Sequence, residues 1–113
     1  MCCTIWERDR IRLIIMKEIS KRNAKKLGLD VMLFQTQEEC AELTKAISKY
    51  NRTRGIGQIT ETSQGDAYQN MLEEIADVNI CVEQLIYLLG VKEEINDLKD
   101  KAFEKVQERY KKF

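Results

Sequence analysis

Two short acidic segments of similar composition are the part of this sequence best suited to chemistry. Residues 38–43 read EECAEL and residues 73–78 read EEIADV, so six positions match in chemical type 35 residues apart. Projected on helices at roughly 100° per residue, Glu39 and Glu74 fall inside apolar stripes. Glu42 and Asp77 fall at the stripe edges three residues later, so each acidic pair shares one helix face. We expect these four carboxylates to meet between two helices.

Carboxylates in that position are costly unless something neutralises them. A carboxylate that faces a core loses hydration, and neighbouring like charges raise each other's pKa. A bound divalent cation removes both costs. Because the ligands are all oxygen and the chain has no histidine, a hard ion is favoured, Mg²⁺ with Mn²⁺ as the alternative. The competing interpretation is a solvated helix face with salt bridges, the usual role of one such pair; two matching pairs inside apolar stripes favour the metal site.

Basic residues after the first acidic segment are candidates to neutralise an anionic substrate. Lys49 lies seven residues after Glu42 on the same helix face, and Lys45 lies nearby. Arg52 and Arg54 enter a glycine-containing stretch, where guanidinium groups can bind phosphate through paired hydrogen bonds. Each of these four cations also has an ordinary interpretation as a solubilising surface charge.

Four helices are predicted to position these side chains. The first covers about residues 4–26 and ends in Lys25 and Lys26 before Gly28, a typical stop signal. The second covers residues 31–50, with Asp30 as its N-cap. Residues 51–65 are predicted to form a loop. The third helix covers residues 66–89 and ends at Gly90, and the fourth runs from residue 92 to the C-terminus.

Apolar periodicity indicates which faces of these helices pack. One stripe is expected on the first helix and one on the fourth, and two cysteines at apolar positions are interpreted as small core residues. The residues concerned are Ile11, Ile15 and Ile19, then Ile95, Leu98, Ala102 and Val106, and finally Cys40 and Cys81. Stripes this long leave surface for a partner chain.

Composition limits the remaining possibilities. The 113 residues suit one domain, and the 19 basic and 19 acidic residues cancel, so no general attraction to nucleic acid or to an anionic membrane is expected. The four cysteines form no metal or disulfide pattern, which favours a reducing, cytoplasmic location. No neighbouring motif supports lipidation of the adjacent Cys2 and Cys3. The apolar run at residues 13–16 is too short for a signal peptide or a membrane span.

At the two acidic segments the chain resembles the MazG-like, all-α nucleoside triphosphate pyrophosphohydrolases. The E-E-x-x-E and E-x-x-D halves of the motif of that family correspond to residues 38–42 and 74–77, in order and on predicted helices. The resemblance extends from about residue 29 to the C-terminus, whereas residues 1–27 carry little of it. It implies an all-α bundle of about four helices that paired chains complete, in a homodimer or a homotetramer.

The same resemblance implies an enzyme. Carried over position by position, it makes metal ligands of Glu39, Glu42, Glu74 and Asp77, and it assigns to Glu38 the binding of a second ion or the orientation of a water. The implied reaction is metal-dependent hydrolysis of a nucleoside or deoxynucleoside triphosphate to the monophosphate and pyrophosphate, such as the cleaning of nucleotide pools. The alternative is a non-catalytic helical assembly module whose acidic residues hold structural ions.

Overall fold

The computed structural model describes residues 4–58 and 60–111, which form four α-helices and no strand. The predicted all-α class with four helices is therefore confirmed. Among the described helices, none combines the length and the hydrophobicity that crossing a bilayer requires. The Cys2–Cys3 pair lies outside the described residues. The helices are α1 (Ile5–Leu27), α2 (Leu29–Thr53), α3 (Gln64–Leu89) and α4 (Lys92–Tyr110).

Local hydrogen bonds explain where α1 and α3 begin. The Thr4 side chain accepts a hydrogen bond from the Glu7 backbone N–H at 3.2 Å, and the Glu7 carboxylate accepts one from the Thr4 N–H at 3.1 Å. This reciprocal pair is a capping box. Ser63 Oγ accepts a hydrogen bond from the Asp66 backbone N–H at 3.2 Å and so caps α3, which begins at Gln64.

A single residue, Gly28, separates α1 from α2. Its backbone is at φ 91° and ψ 166°, in the positive-φ region that favours glycine. Its N–H donates to the Ala24 carbonyl at 2.9 Å, and its carbonyl accepts from the Met32 N–H at 3.1 Å. The prediction of Asp30 as N-cap is therefore wrong. Asp30 lies in the first turn of α2, where a carboxylate favours the positive end of the helix dipole.

The loop between α2 and α3 is shorter than the predicted range of residues 51–65. Residues 51–53 continue α2, and residues 64 and 65 belong to the first turn of α3. Side-chain contacts support the extension, since Thr53 Oγ1 donates to the Tyr50 carbonyl at 2.6 Å. The rings of Tyr50 and Tyr68 lie 5.7 Å apart and join the end of α2 to the start of α3. Arg52 is thus a helical residue and not a loop residue.

The small core lies where α2 packs against α3, the most extensive helix contact in the chain. Met32 and Ala46 of α2 and Ala67 and Cys81 of α3 are buried there. α1 joins this pair through buried Ala24 and a hydrogen bond of 3.2 Å from the Gln84 side chain to the Ser20 carbonyl. α4 has no buried residue. The α2–α3 pair is therefore the unit that positions the acidic segments.

Much of the predicted apolar surface is not covered within one chain. Ile11, Ile15 and Ile19 are each about half exposed, and Ala24, about 180° around the helix from Ile15, is the buried residue of α1. The assignment of Cys81 to the core is confirmed, but that of Cys40 is wrong for the single chain, where Cys40 is exposed. A helix projection identifies apolar positions without telling which of them meet a neighbour.

The left-handed backbone at Gly90 gives a test of this architecture. Gly90 ends α3 at φ 64°, and no atom lies within 4 Å of a Cβ added there. We expect Gly90→Ala to lower the free energy of unfolding by about 1 kcal/mol, because only backbone strain opposes it. Gly65→Ala is the matched control: it has equal space but no positive φ, and should raise stability by about 0.5 kcal/mol. Urea unfolding that shows equal effects for both variants would contradict the left-handed helix end.

Candidate metal centre

Three acidic side chains converge between α2 and α3. Glu39 comes from α2, and Glu74 and Asp77 come from α3 at an i, i+3 spacing. One carboxylate oxygen of each lies within 4.8 Å of the corresponding oxygens of the other two. We call these three residues the acidic triad. The structure thus brings together three of the four side chains that the sequence predicts as metal ligands.

Glu74 is the least solvated member of the triad. Its Oε2 atom is buried and has no hydrogen-bond partner among the described residues. Burial raises the pKa of Glu74 above its ordinary value, and a hydrogen bond with Glu39 raises it further. The negative charges of Glu39, Asp77 and Glu42 raise the pKa of Glu74 in the same direction.

Glu42 lies at the rim of the site and not in the triad. Its side chain is 53% exposed, and one of its carboxylate oxygens lies 4.0 Å from Lys45 Nζ. Its charge still reaches the triad, because it contributes to the raised pKa of Glu74. Glu38, the predicted catalytic residue, is exposed on α2. The fourth predicted ligand therefore has a cation for a neighbour in this structure.

The chemistry of the triad fits a hard divalent cation. All of its ligand atoms are carboxylate oxygens, which Mg²⁺ and Mn²⁺ prefer. Glu74 Oε2 lacks a donor, and a cation would satisfy it while removing the repulsion among three close negative charges. Glu39, Glu74 and Asp77 can hold the ion, with Glu42 able to join from the rim.

Three of the four predicted substrate-binding cations lie at successive positions along α2, and the fourth, Arg54, directly follows its last residue. Lys45 is close to the site through its contact with Glu42. Lys49 is ten residues after Glu39 and Arg52 is thirteen residues after it. At 1.5 Å per residue, these positions are about 15 Å and about 20 Å along the helix axis from Glu39. Lys45 is thus the predicted cation that lies next to the acidic side chains.

Both arginines are engaged locally at the far end of α2. Arg52 Nε donates a hydrogen bond to the Ser48 carbonyl at 3.3 Å. The Arg54 guanidinium lies over the Tyr50 ring, 5.4 Å from its centroid, a cation–π arrangement. Arg52 also lines a shallow surface pocket together with residues of the loop. Neither arginine is brought next to the triad within one chain.

Cys81 is a neighbour of the triad that the sequence reasoning assigned only to the core. Burial raises the pKa of this thiol, followed by the charges of Glu39 and Asp77, while a hydrogen bond with Thr36 lowers it. The sequence does contain the relevant signal, because Cys81 lies four residues after Asp77 and seven after Glu74, on the same face of α3. A neutral thiol at this position adds no further negative charge to the site.

Comparison with protein-family models, with curated proteins and with solved structures gives no match to this chain. The resemblance to MazG-like enzymes therefore rests on the sequence motifs described above and not on a matched relative.

Removing the charge of Glu74 gives a test of the strain at the site. The pKa of Glu74 is raised above 4.5 in the folded chain, so the folded chain holds this proton more tightly than the unfolded chain does. The free energy of unfolding therefore falls as the pH rises from the ordinary carboxyl pKa through the raised pKa. Without divalent ions, we therefore expect Glu74→Gln to be more stable than the native chain at neutral pH and equally stable below the ordinary carboxyl pKa. Chemical unfolding in a chelator at both pH values measures the difference.

The same pair of proteins tests the ion. Mg²⁺ or Mn²⁺ should raise the melting temperature of the native chain and should have little effect on Glu74→Gln, because a ligand that binds the folded state stabilises it. Glu73→Gln is the matched control, since Glu73 is an exposed neighbour whose carboxylate accepts a hydrogen bond from the Gln69 side chain at 3.5 Å. A stabilising effect of Glu73→Gln equal to that of Glu74→Gln would assign the gain to net charge and not to the triad.

Proposed function

We propose that this chain hydrolyses a nucleoside or deoxynucleoside triphosphate to the monophosphate and pyrophosphate, as a MazG-like enzyme. The convergence of Glu39, Glu74 and Asp77 is the observation that carries the proposal. Three acidic side chains between packed helices, one of them with a buried oxygen lacking a partner, are expected of a cation site and are costly otherwise. The likeness to MazG-like motifs at the same residues favours phosphoanhydride chemistry.

The triad would hold Mg²⁺, with Mn²⁺ as an alternative, and Glu42 would complete the ligand set from the rim. When bound, such an ion neutralises charge on phosphate oxygens and acidifies water. In the proposed reaction, α2 and α3 fix the relative positions of the carboxylates before substrate arrives. Preorganisation of this kind saves the cost of ordering the site during the reaction.

Glu38 and the lysines of α2 have separate roles in the proposal. The exposed carboxylate of Glu38 accepts the proton of the attacking water or helps to bind a second ion. Lys45 binds phosphate oxygens next to the triad, and Lys49 binds further along the same helix. Arg52 and Arg54 lie beyond the reach of a triphosphate that is held at the triad of the same chain, given about 20 Å of helix between them. They serve a more distant part of the nucleotide or a neighbouring chain.

The enzyme is proposed to work as a homodimer or homotetramer in the cytoplasm. One chain exposes 9787 Å², whereas a compact monomer of 13.3 kDa exposes about 6,500 Å². The excess, about 3,300 Å² per chain, has the size of surface that obligate oligomers bury.

A non-catalytic assembly module is the competing function, and this exposed area is the observation that favours it. In such a module the triad would hold a structural ion, and Lys45 would only balance the charge of Glu42.

Product analysis separates the two functions. Pure protein is incubated with each nucleoside and deoxynucleoside triphosphate and Mg²⁺, and pyrophosphate and monophosphate are measured. We expect at least one nucleotide to release pyrophosphate, and Glu39→Gln and Asp77→Asn to abolish the release while the protein stays folded. Glu73→Gln should retain activity because its side chain is outside the triad. Release of orthophosphate alone, or full activity in both triad variants, would refute the proposed mechanism.

The positions of the cations predict unequal effects on substrate binding. Lys45→Ala should raise KM by about tenfold or more, the effect of losing a hydrogen bond to a charged group. Arg54→Ala should change KM by less than about twofold, because this guanidinium already stacks on Tyr50 away from the triad. Steady-state kinetics with the preferred nucleotide measures both. The reverse order would place the triphosphate at the loop end of α2.

A further inference from the structure

α4 is a regular helix that almost nothing covers. It spans Lys92–Tyr110, contacts only α3 among the described helices, and has no buried residue. Leu98 is 58% exposed and Val106 is 43% exposed. Together with Ile95 and Ala102 they follow a spacing of three, four and four residues, which places them on one helix face. We call Ile95, Leu98, Ala102 and Val106 the α4 stripe.

An uncovered amphipathic helix is not stable by itself. Most of the stability of a helix in a protein comes from packing of its apolar face and not from helix propensity. α4 also lacks a side-chain N-cap hydrogen bond. The α4 stripe therefore needs a partner surface, and no other described part of the chain provides one.

The exposed area of the whole chain, to which α1 and α4 both contribute, favours a large partner. The excess of about 3,300 Å² over a compact monomer is well above the ~800 Å² that each partner buries in an ordinary interface. The radius of gyration, 18.3 Å, also exceeds the value of about 13 Å for a compact chain of this length. A short peptide or a small molecule would leave most of this surface exposed, whereas a second folded chain can cover it.

The charges of α4 and α1 distinguish among a lipid surface, a nucleic acid and a second chain as the large partner. α4 carries five basic and six acidic side chains, so it has no attraction for an anionic lipid surface or for nucleic acid. The rival apolar helix, α1, carries eight basic and three acidic side chains, and two copies of it would repel each other. Two copies of α4 face each other without that penalty. The small side chain of Ala102 in the middle of the stripe allows a close helix approach.

We propose that the α4 stripe packs against the same stripe of a second copy of this chain, across a two-fold axis. Such an interface is self-complementary, as is usual in homodimers. It deepens the oligomeric part of the proposed function by naming the surface, and it does not depend on the hydrolysis of a nucleotide. The α2–α3 pair with its acidic triad lies outside the stripe.

The test compares two double variants that add the same charge to α4. Leu98→Lys/Val106→Lys changes the stripe, and Asn96→Lys/Gln107→Lys changes two exposed positions that lie more than about 100° around the helix from the middle of the stripe. Mass is measured by light scattering at micromolar concentration. We expect the native chain and the control at twice 13.3 kDa or more, and the stripe variant at a lower multiple. A monomeric native chain, or equal masses for the two variants, would overturn the proposal.

Further arms keep the result interpretable. Should the lysine variant lose helicity in circular dichroism, the milder Leu98→Ala/Val106→Ala decides: it must dissociate at concentrations where the native dimer persists. Ile11→Lys/Ile15→Lys tests the rival surface, and loss of the dimer in this variant alone would assign the interface to α1. Binding of the native chain to phosphatidylserine vesicles that the stripe variant loses, with no change in mass, would identify a lipid surface as the occupant and refute the dimer.

The pyrophosphate assay separates this inference from the proposed function. A dimer that depends on the stripe but releases no pyrophosphate retains the interface and refutes the enzyme. A monomer that releases pyrophosphate retains the proposed enzyme and refutes the interface.

Discussion

Mutual repulsion of carboxylates within the main helix contact is the constraint on which this molecule depends. Glu39, Glu74 and Asp77 lie where α2 and α3 pack, and the buried oxygen of Glu74 has no donor. Two helices that pack around such a cluster accept a penalty that apolar side chains of similar size would avoid. The same burial and the same neighbouring charges raise the pKa of Glu74. A protein keeps an arrangement of this kind when the cluster does something that the core does not require.

The rest of the chain is arranged around that pair. α1 is attached to it through one buried alanine and one side-chain hydrogen bond, and α4 through a short contact after Gly90. The core therefore consists of small residues and one large one, Met32. The core described within one chain is small, and many large apolar side chains lie outside it. The acidic site and the exposed apolar surface therefore lie on different helices. α2 and α3 position the acidic side chains, while α1 and α4 carry the surface that a partner can cover.

Helix projection from the sequence predicted a large part of this structure, but it did not identify which neighbour each helix face contacts. It placed three acids together, because an i, i+3 spacing fixes direction on a helix regardless of what the helix meets. It misplaced Cys40, and it did not show that Glu42 lies at the rim beside Lys45, because position at a stripe edge does not reveal which neighbour is present. It ended α2 too early, because polar residues such as Asn51 and Arg52 carry no periodicity although they extend the helix. The position of Cys81 beside the triad follows from its spacing from Glu74 and Asp77 on α3, but this spacing has meaning only once the triad is known.

The single-residue link at Gly28 has a consequence for motion. This residue takes part in the hydrogen-bond ladders of both α1 and α2, so two backbone angles set the direction of the whole first helix. Because α1 has 23 residues and no flexible linker before α2, a displacement of its N-terminal end is transmitted to the start of α2, ten residues before Glu39. α1 is therefore more restrained than a segment that is attached through a flexible linker. A partner that binds the outer end of α1 would therefore also restrain the start of α2, the helix that carries Glu39.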